Sequence, residues 1–202
     1  MSVIATNESK TFPIAPEGTH PATCIAIIDI GTHAIKTGLY AGKLSRKVRI
    51  MWELPTELDD EGKPFVVHQD YTLSMAEKGN LRAALKSWRG KDFTAEEAAR
   101  FDVGALIGKP CLLGVIHNKQ GEKTYANPSS VAAFPYKMMK PHAPTCETIV
   151  YSIDQTIPPN MPEWIAKKIQ ESAEWRAKDG GVEQPVNRQA APSVHDEDEP
   201  PF

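Results

Sequence analysis

The chain has 202 residues, of which 41% are hydrophobic and 24% charged, with 17 prolines and 13 glycines. That length holds one domain with a proper core, or one domain and a tail, and so much Pro and Gly demands many turns and linkers. Nothing near the ~18 consecutive apolar residues of a transmembrane helix occurs, and Met1–Lys10 is polar and lacks the apolar run of a signal peptide. The expected location is therefore the compartment of synthesis, the cytoplasm.

The net charge of -3 hides a segregated distribution. Asp196, Glu197, Asp198 and Glu199 carry -4 within the last seven residues, so the rest of the chain is slightly basic. Ile30 to Trp52 holds Lys36, Lys43, Arg46, Lys47 and Arg49 with no acid. Lys78 to Lys91 holds Lys78, Arg82, Lys86, Arg89 and Lys91, again with no acid, and Lys123 to Cys146 holds Lys123, Lys137 and Lys140 alone. Basic segments followed by an acidic tail point to a polyanionic partner. Cys24, Cys111 and Cys146 are odd in number and far apart, with no CxxC pair, so they read as buried free thiols rather than a zinc site or a disulfide framework. The expected metal and cofactor content is none.

Residues 1–11 read as a flexible arm. Ala22 to Ile30, rich in β-branched residues, reads as a first strand ended or bent by Gly31. Residues 32–45 form a long connection. Arg46 to Leu54 is a second strand, with Val48, Ile50 and Trp52 on one face and Lys47, Arg49 and Met51 on the other. An acidic turn over Pro55 to Lys63 leads to a third strand, Phe65 to Leu73. Ser74-Met75-Ala76-Glu77 has the capping-box pattern and predicts a helix to Trp88, stopped by Gly90, with Leu81, Leu85 and Trp88 as its apolar stripe. Thr94-Ala95-Glu96-Glu97 predicts a second helix, to about Ile107. Pro110 to His117 is a fourth strand and Lys123 to Phe134 a fifth, where Pro128 implies an edge or a bulge. Tyr136 to Pro144 is a basic loop, Thr148 to Ile153 a candidate strand, and Asn160-Met161-Pro162-Glu163 opens a helix to about Lys178. Residues 179–195 carry few bulky aliphatics and read as a disordered linker before the acidic tip at 196–202.

Three strands, a helical insert and two more strands is the order of the OB-fold, a five-stranded, partly open Greek-key β-barrel. The expected fold is thus mainly β and OB-like over residues 12–178, with helices between strands three and four and a C-terminal helix. The ending Asp196-Glu197-Asp198-Glu199-Pro200-Pro201-Phe202 resembles the C-terminal tip of bacterial single-stranded-DNA-binding proteins, an acidic run followed by Ile-Pro-Phe, with Pro200 in place of the isoleucine. Several phage single-stranded-DNA-binding proteins likewise end in acidic residues and an aromatic. The segments Trp52-Glu53-Leu54-Pro55, Trp88-Arg89-Gly90 and Phe93-Thr94 are similar to parts of phage or prophage members. The resemblance implies sequence-independent binding and protection of single-stranded DNA in replication, recombination and repair. It also implies that the tip docks on partner proteins, and that it competes with DNA for a basic groove.

A single-strand binder needs cations along a groove and flat rings for bases. In an OB barrel the ligand crosses strands two and three between the first and fourth loops. That places Lys47 and Arg49 on an exposed strand face, Lys36, Tyr40, Lys43 and Arg46 in the first loop, and Lys123 and Tyr125 on the last hairpin. Tyr136, Lys137 and Lys140 flank the groove. Trp52 and Trp88 belong to apolar stripes and read as core, and the basic stripe of the first helix reads as a solvated face. Room remains for a homo-oligomer; a membrane partner is not expected.

Two rival readings compete. Asp29, Glu53 and Asp70 lie on or near strands and could gather a divalent metal, as a phage nuclease requires. A phage structural or adaptor protein would explain the β-rich core but not the charge segregation. Gly104 to Pro110 lacks the spacing and the Ser or Thr of a phosphate loop and reads as a helix end entering a strand.

Overall fold

The computed structural model describes residues 13–178. The expected arm (1–11), linker (179–195) and acidic tip (196–202) lie outside the described residues. The fold is mainly β. Its strands are β1 (Gly18–Ala34), β2 (Leu44–Leu58), β3 (Pro64–Thr72), β4 (Pro110–Gln120), β5 (Lys123–Ala133) and β6 (Ile149–Tyr151). Its helices are α1 (Asn80–Arg89), α2 (Ala95–Ala99), α3 (Glu163–Gln170) and α4 (Ala173–Lys178), with a 3-10 turn at Val103–Leu106. All strands form one sheet in the order β3-β2-β1-β4-β5; the neighbours are antiparallel, and β6 runs parallel to β1 beside Ala26–Ile28.

The expected five-stranded barrel is observed as an open six-stranded sheet. No ladder joins β3 to β5 among the described residues. Instead a cavity of about 380 Å³ separates them, lined by Gln69 and Tyr71, by Ala84 and Ser87 of α1, and by Pro128 to Val131. Pro128 sits on the edge strand β5 next to a bulge, where Val115 pairs with Pro128 and Gly114 with Ser130. Its missing N–H costs the sheet little there.

β1 is longer than expected because it serves two partners. Its first part pairs with β4 from Gly18 to Thr23, and the rest pairs with β2 out to Ala34. Bulges between Cys24 and Ala26 and between Asp29 and Gly31 bend it. One sheet face packs Cys24, Ile27, Val48, Ile50, Trp52, Leu54 and Leu113 against Leu81, Leu85 and Trp88 of α1. The rings of Trp52 and Trp88 meet at 5.8 Å, as the apolar stripes required. The opposite face packs Ala26, Ile28 and Ile30 against Tyr151, Ile153, Met161, Ile165 and Ile169. The C-terminal segment therefore covers the sheet with a second core.

The helices depart from the sequence reading at their starts and breaks. Ser74 Oγ accepts the N–H of Ala76, two residues on, so it makes a local turn instead of a cap, and α1 begins after Gly79. Gly90 ends α1 in the left-handed region, at φ 73°, and its N–H returns to the Lys86 carbonyl, as expected. The capping box at Thr94 is present: Thr94 Oγ1 accepts from the Glu97 N–H and the Glu97 carboxylate accepts from the Thr94 N–H. That helix stops at Ala99, because Asp102 caps the Gly104 N–H and starts the separate 3-10 turn. The final helix is likewise two. Buried Ser172 accepts the Trp175 N–H and restarts the chain as α4.

Gly31 has φ 79°, and a Cβ there would stand 2.5 Å from the Ser172 Cβ. Gly31→Ala is expected to cost at least about 1–2 kcal/mol from backbone conformation alone, with the clash in addition. A thermal melt checks this; an unchanged midpoint would contradict the close approach. Thr94→Ala is expected to cost about 1 kcal/mol by loss of the cap, read from denaturant unfolding.

Candidate nucleic-acid interface

The connection between β1 and β2 is a tight hairpin tip. Ile35 donates its N–H to the Lys43 carbonyl at 2.9 Å, and Gly42 donates to Ile35 at 2.8 Å. Gly38 and Gly42 supply positive φ values of 86° and 85°. The tip holds Tyr40 at 57% exposure, with the Lys43 ammonium 5.1 Å from its ring centroid. Lys36 is exposed beside it.

The β4–β5 hairpin pairs Asn118 with Tyr125 and Gln120 with Lys123. Strand alternation then puts Lys123 and Tyr125 on one face, opposite to Ala126, which packs on the first core. Tyr125 is 43% exposed. After β5, Tyr136 packs edge-on against Phe134 at 5.2 Å and remains 66% exposed, with Lys137 and Lys140 exposed next to it. The Thr23 hydroxyl ties this loop down through the His142 carbonyl at 3.0 Å. None of Lys36, Lys43, Lys123, Lys137 and Lys140 makes an ion pair among the described residues.

The remaining expected residues are placed differently. Arg49 is not on an exposed face: its side chain is only 7% exposed and holds Asp70 through two hydrogen bonds, at 2.6 and 2.8 Å. The cause is the second core, since α3 lies over the face that alternation alone leaves to solvent. The Arg49 guanidinium lies over the Trp164 ring of α3 at 4.6 Å, and the His68 ring meets the indole at 5.0 Å, tilted by 44°. Arg46 is ion-paired with Asp29. Lys47 is half-buried and donates to the Thr72 hydroxyl at 2.9 Å. Trp164 and His68 were missed because nothing in the sequence says that the last helix returns to β2 and β3.

The register spreads the three tyrosine loops out. The first leaves the far end of β1, beyond Ala34 and Leu44. The loop after β5 leaves near Thr23, where Pro110 and Cys111 pair with β1. The β4–β5 tip projects past Gly18. Roughly 50 Å of strand contour separates the outer two. The three segments therefore leave the sheet at different points along β1.

The basic stripe is largely paired, although Arg82 and Lys86 share one carboxylate and Lys78 stays exposed without an ion pair among the described residues. Arg82 and Lys86 pair with Asp92, and Arg89 pairs with Glu97 at 2.6 Å. These bonds hold both acids down to about 2, chiefly through Lys86 for Asp92 and Arg89 for Glu97. The carboxylates of the metal reading are also committed: Asp29 to Arg46, Asp70 to Arg49, and Glu53 to the N–H groups of Thr145 and Cys146. No group of three or more potential ligands occurs among the described residues. Burial pushes the Cys24 thiol up to about 12 and that of Cys146 up to about 11, so neither is a ready nucleophile at neutral pH. No helix among the described residues is long and apolar enough to cross a membrane. No protein-family model matches the chain, and neither does any curated protein.

Proposed function

We propose that the chain binds single-stranded DNA without sequence preference and protects it during replication, recombination and repair. One observation carries this reading. Three separate exposed segments each set a tyrosine ring beside lysines that have no acidic partner among the described residues, while the arginines and lysines elsewhere on α1 and β2 are largely paired. Rings take the bases and lysines take the phosphates, and neither selects sequence. The sheet order supports the reading too. β3-β2-β1-β4-β5 is the order of an OB barrel opened between its third and fifth strands, with the helical insert between the third and fourth. The acidic tip, Asp196 to Phe202, keeps the partner-recruiting role that its resemblance implies.

The test is fluorescence anisotropy of a labelled oligothymidine against a duplex of equal length. We expect tight binding of the strand and weak binding of the duplex. A chain ending at Val194 should bind the strand more tightly, because the tip no longer competes. No binding of the strand at low salt would refute the proposal. On the same reading, replacing Arg82, Lys86 and Arg89 by alanine should change strand affinity by less than about twofold, since the Arg82 and Arg89 side chains are mostly covered and held by Asp92, the Phe93 carbonyl and Glu97.

A further inference from the structure

We propose that Trp164 is a base-stacking platform on the outer face of β2 and β3, so that the C-terminal helix supplies part of the nucleic-acid site. This rests on the single-strand reading above and extends it to a residue outside the three tyrosine loops.

Trp164 is 48% exposed, although neighbouring Ile165 and Ile169 on the same helix are fully buried. An indole left half in solvent is normally mobile, but this one is fixed from below. The Arg49 guanidinium lies 4.6 Å from its centroid and the His68 ring 5.0 Å away. Arg49 is itself immobilised by its two bonds to Asp70. Its Nη1 has no hydrogen-bond partner and is sealed from solvent, which leaves the indole π-face as the group beside it. The ring is thus pre-organised at no further ordering cost to a ligand.

Beside the ring lies a cavity of about 380 Å³, bounded by Met51, Val66, His68, Cys146, Asn160 and Trp164 among others. It has room for a nucleobase. Burial and the Arg49 charge both hold the His68 pKa below its ordinary value, so the ring that lines this cavity stays neutral at neutral pH. The platform is also continuous with the first tyrosine loop. Alternation along β2 puts Lys47 on the same face as Arg49, with Thr72 and Asp70 opposite them on β3. Lys43 is six residues from Arg49, roughly 20 Å along the strand. A single strand leaving Tyr40 and Lys43 would pass Lys47 and reach Trp164.

The experiment uses the full chain with Trp164→Phe and Trp164→Ala, titrated with oligothymidine by anisotropy and by intrinsic tryptophan fluorescence. Trp52 and Trp88 are buried in the first core, and Trp175 packs on the second, so quenching by the strand reports chiefly on Trp164. We expect strand-dependent quenching in the native protein and its loss in both variants. Affinity should fall by about 5- to 150-fold in Trp164→Ala and only slightly in Trp164→Phe, which keeps an aromatic face. Trp164→Phe and the quenching of the native chain decide the matter even if the alanine variant melts early. Strand binding that leaves fluorescence unchanged, or that Trp164→Ala leaves intact, would overturn the stacking site and spare the single-strand function. Failure of the native chain to bind any strand would overturn both.

Discussion

Glu53→Leu is expected to destabilise the fold by about 2 kcal/mol, measured by denaturant unfolding. Glu53 lies on β2 with no exposed surface and no cation among its partners. Its carboxylate accepts the Thr145 N–H at 3.0 Å, the Thr145 hydroxyl at 2.7 Å and the Cys146 N–H at 2.7 Å. Leucine would leave two backbone donors without their acceptor. A stranded donor costs about 1–3 kcal/mol, and here the cost stands at the lower end, because Thr145 is exposed and Cys146 half-buried, so water can partly replace the carboxylate. The loss would also release the end of the Tyr136 loop, whose other anchor is the Thr23 hydroxyl.

The same site gives the protein an acid-sensitive component. Burial opposes ionisation of Glu53, but the Cys146 and Thr145 donors outweigh it and hold the carboxyl below its ordinary 4.5. An acid whose folded pKa lies below its unfolded one stabilises the fold above the unfolded value. That contribution declines as pH drops below 4.5 and is gone once the pH has passed through the folded value. Glu53→Gln should therefore be less stable at neutral pH and show a shallower loss of stability between neutral pH and that acid range. Equal stability and an equal acid slope in the two proteins would show that the carboxylate is not what holds Thr145 and Cys146.

The second large effect concerns binding. Tyr40→Ala, Tyr125→Ala and Tyr136→Ala should each weaken oligothymidine binding by about 1–3 kcal/mol, or about 5- to 150-fold, because each removes a stacking face. Phenylalanine at the same positions should retain most of the affinity. Tyr40 and Tyr125 touch neither core, so their alanine variants should melt as the native protein does. Tyr136 packs edge-on against Phe134, and its loss should cost stability by about 0.5–1.5 kcal/mol as well. If alanine and phenylalanine variants bind alike, the rings are not stacking on bases.

The strands were legible because periodicity reports burial. Val48, Ile50 and Trp52 alternate with polar residues, and they do enter one core. The same rule misplaced Arg49. Alternation tells that two faces differ, not that the polar one is wet, and here a helix more than a hundred residues away closes over it. A hint was available in β1, where Cys24 to Ile30 contains no exposed position; its near-continuous apolar run is the mark of a strand covered on both sides. Helix starts were legible where a side chain could cap only one way, as at Thr94. At Ser74 the hydroxyl had a nearer amide to satisfy, and the helix began later. The exposed tyrosines of the loops were legible because Gly and Lys surround Tyr40 and because Lys123 shares a hairpin face with Tyr125. Trp164 was not, since a long-range contact leaves no local pattern.

The most direct measurement is the affinity for oligothymidine as a function of salt, with a duplex of equal length alongside. Five lysines on three loops have no acidic partner among the described residues, so we predict tight strand binding that weakens as salt rises. If most of them engage phosphates, the log–log slope should be about -2 to -3.5, at roughly -0.7 per phosphate for a single strand. The strand should be preferred over the duplex throughout. Binding that ignores salt, favours the duplex or does not occur at low salt would contradict the account.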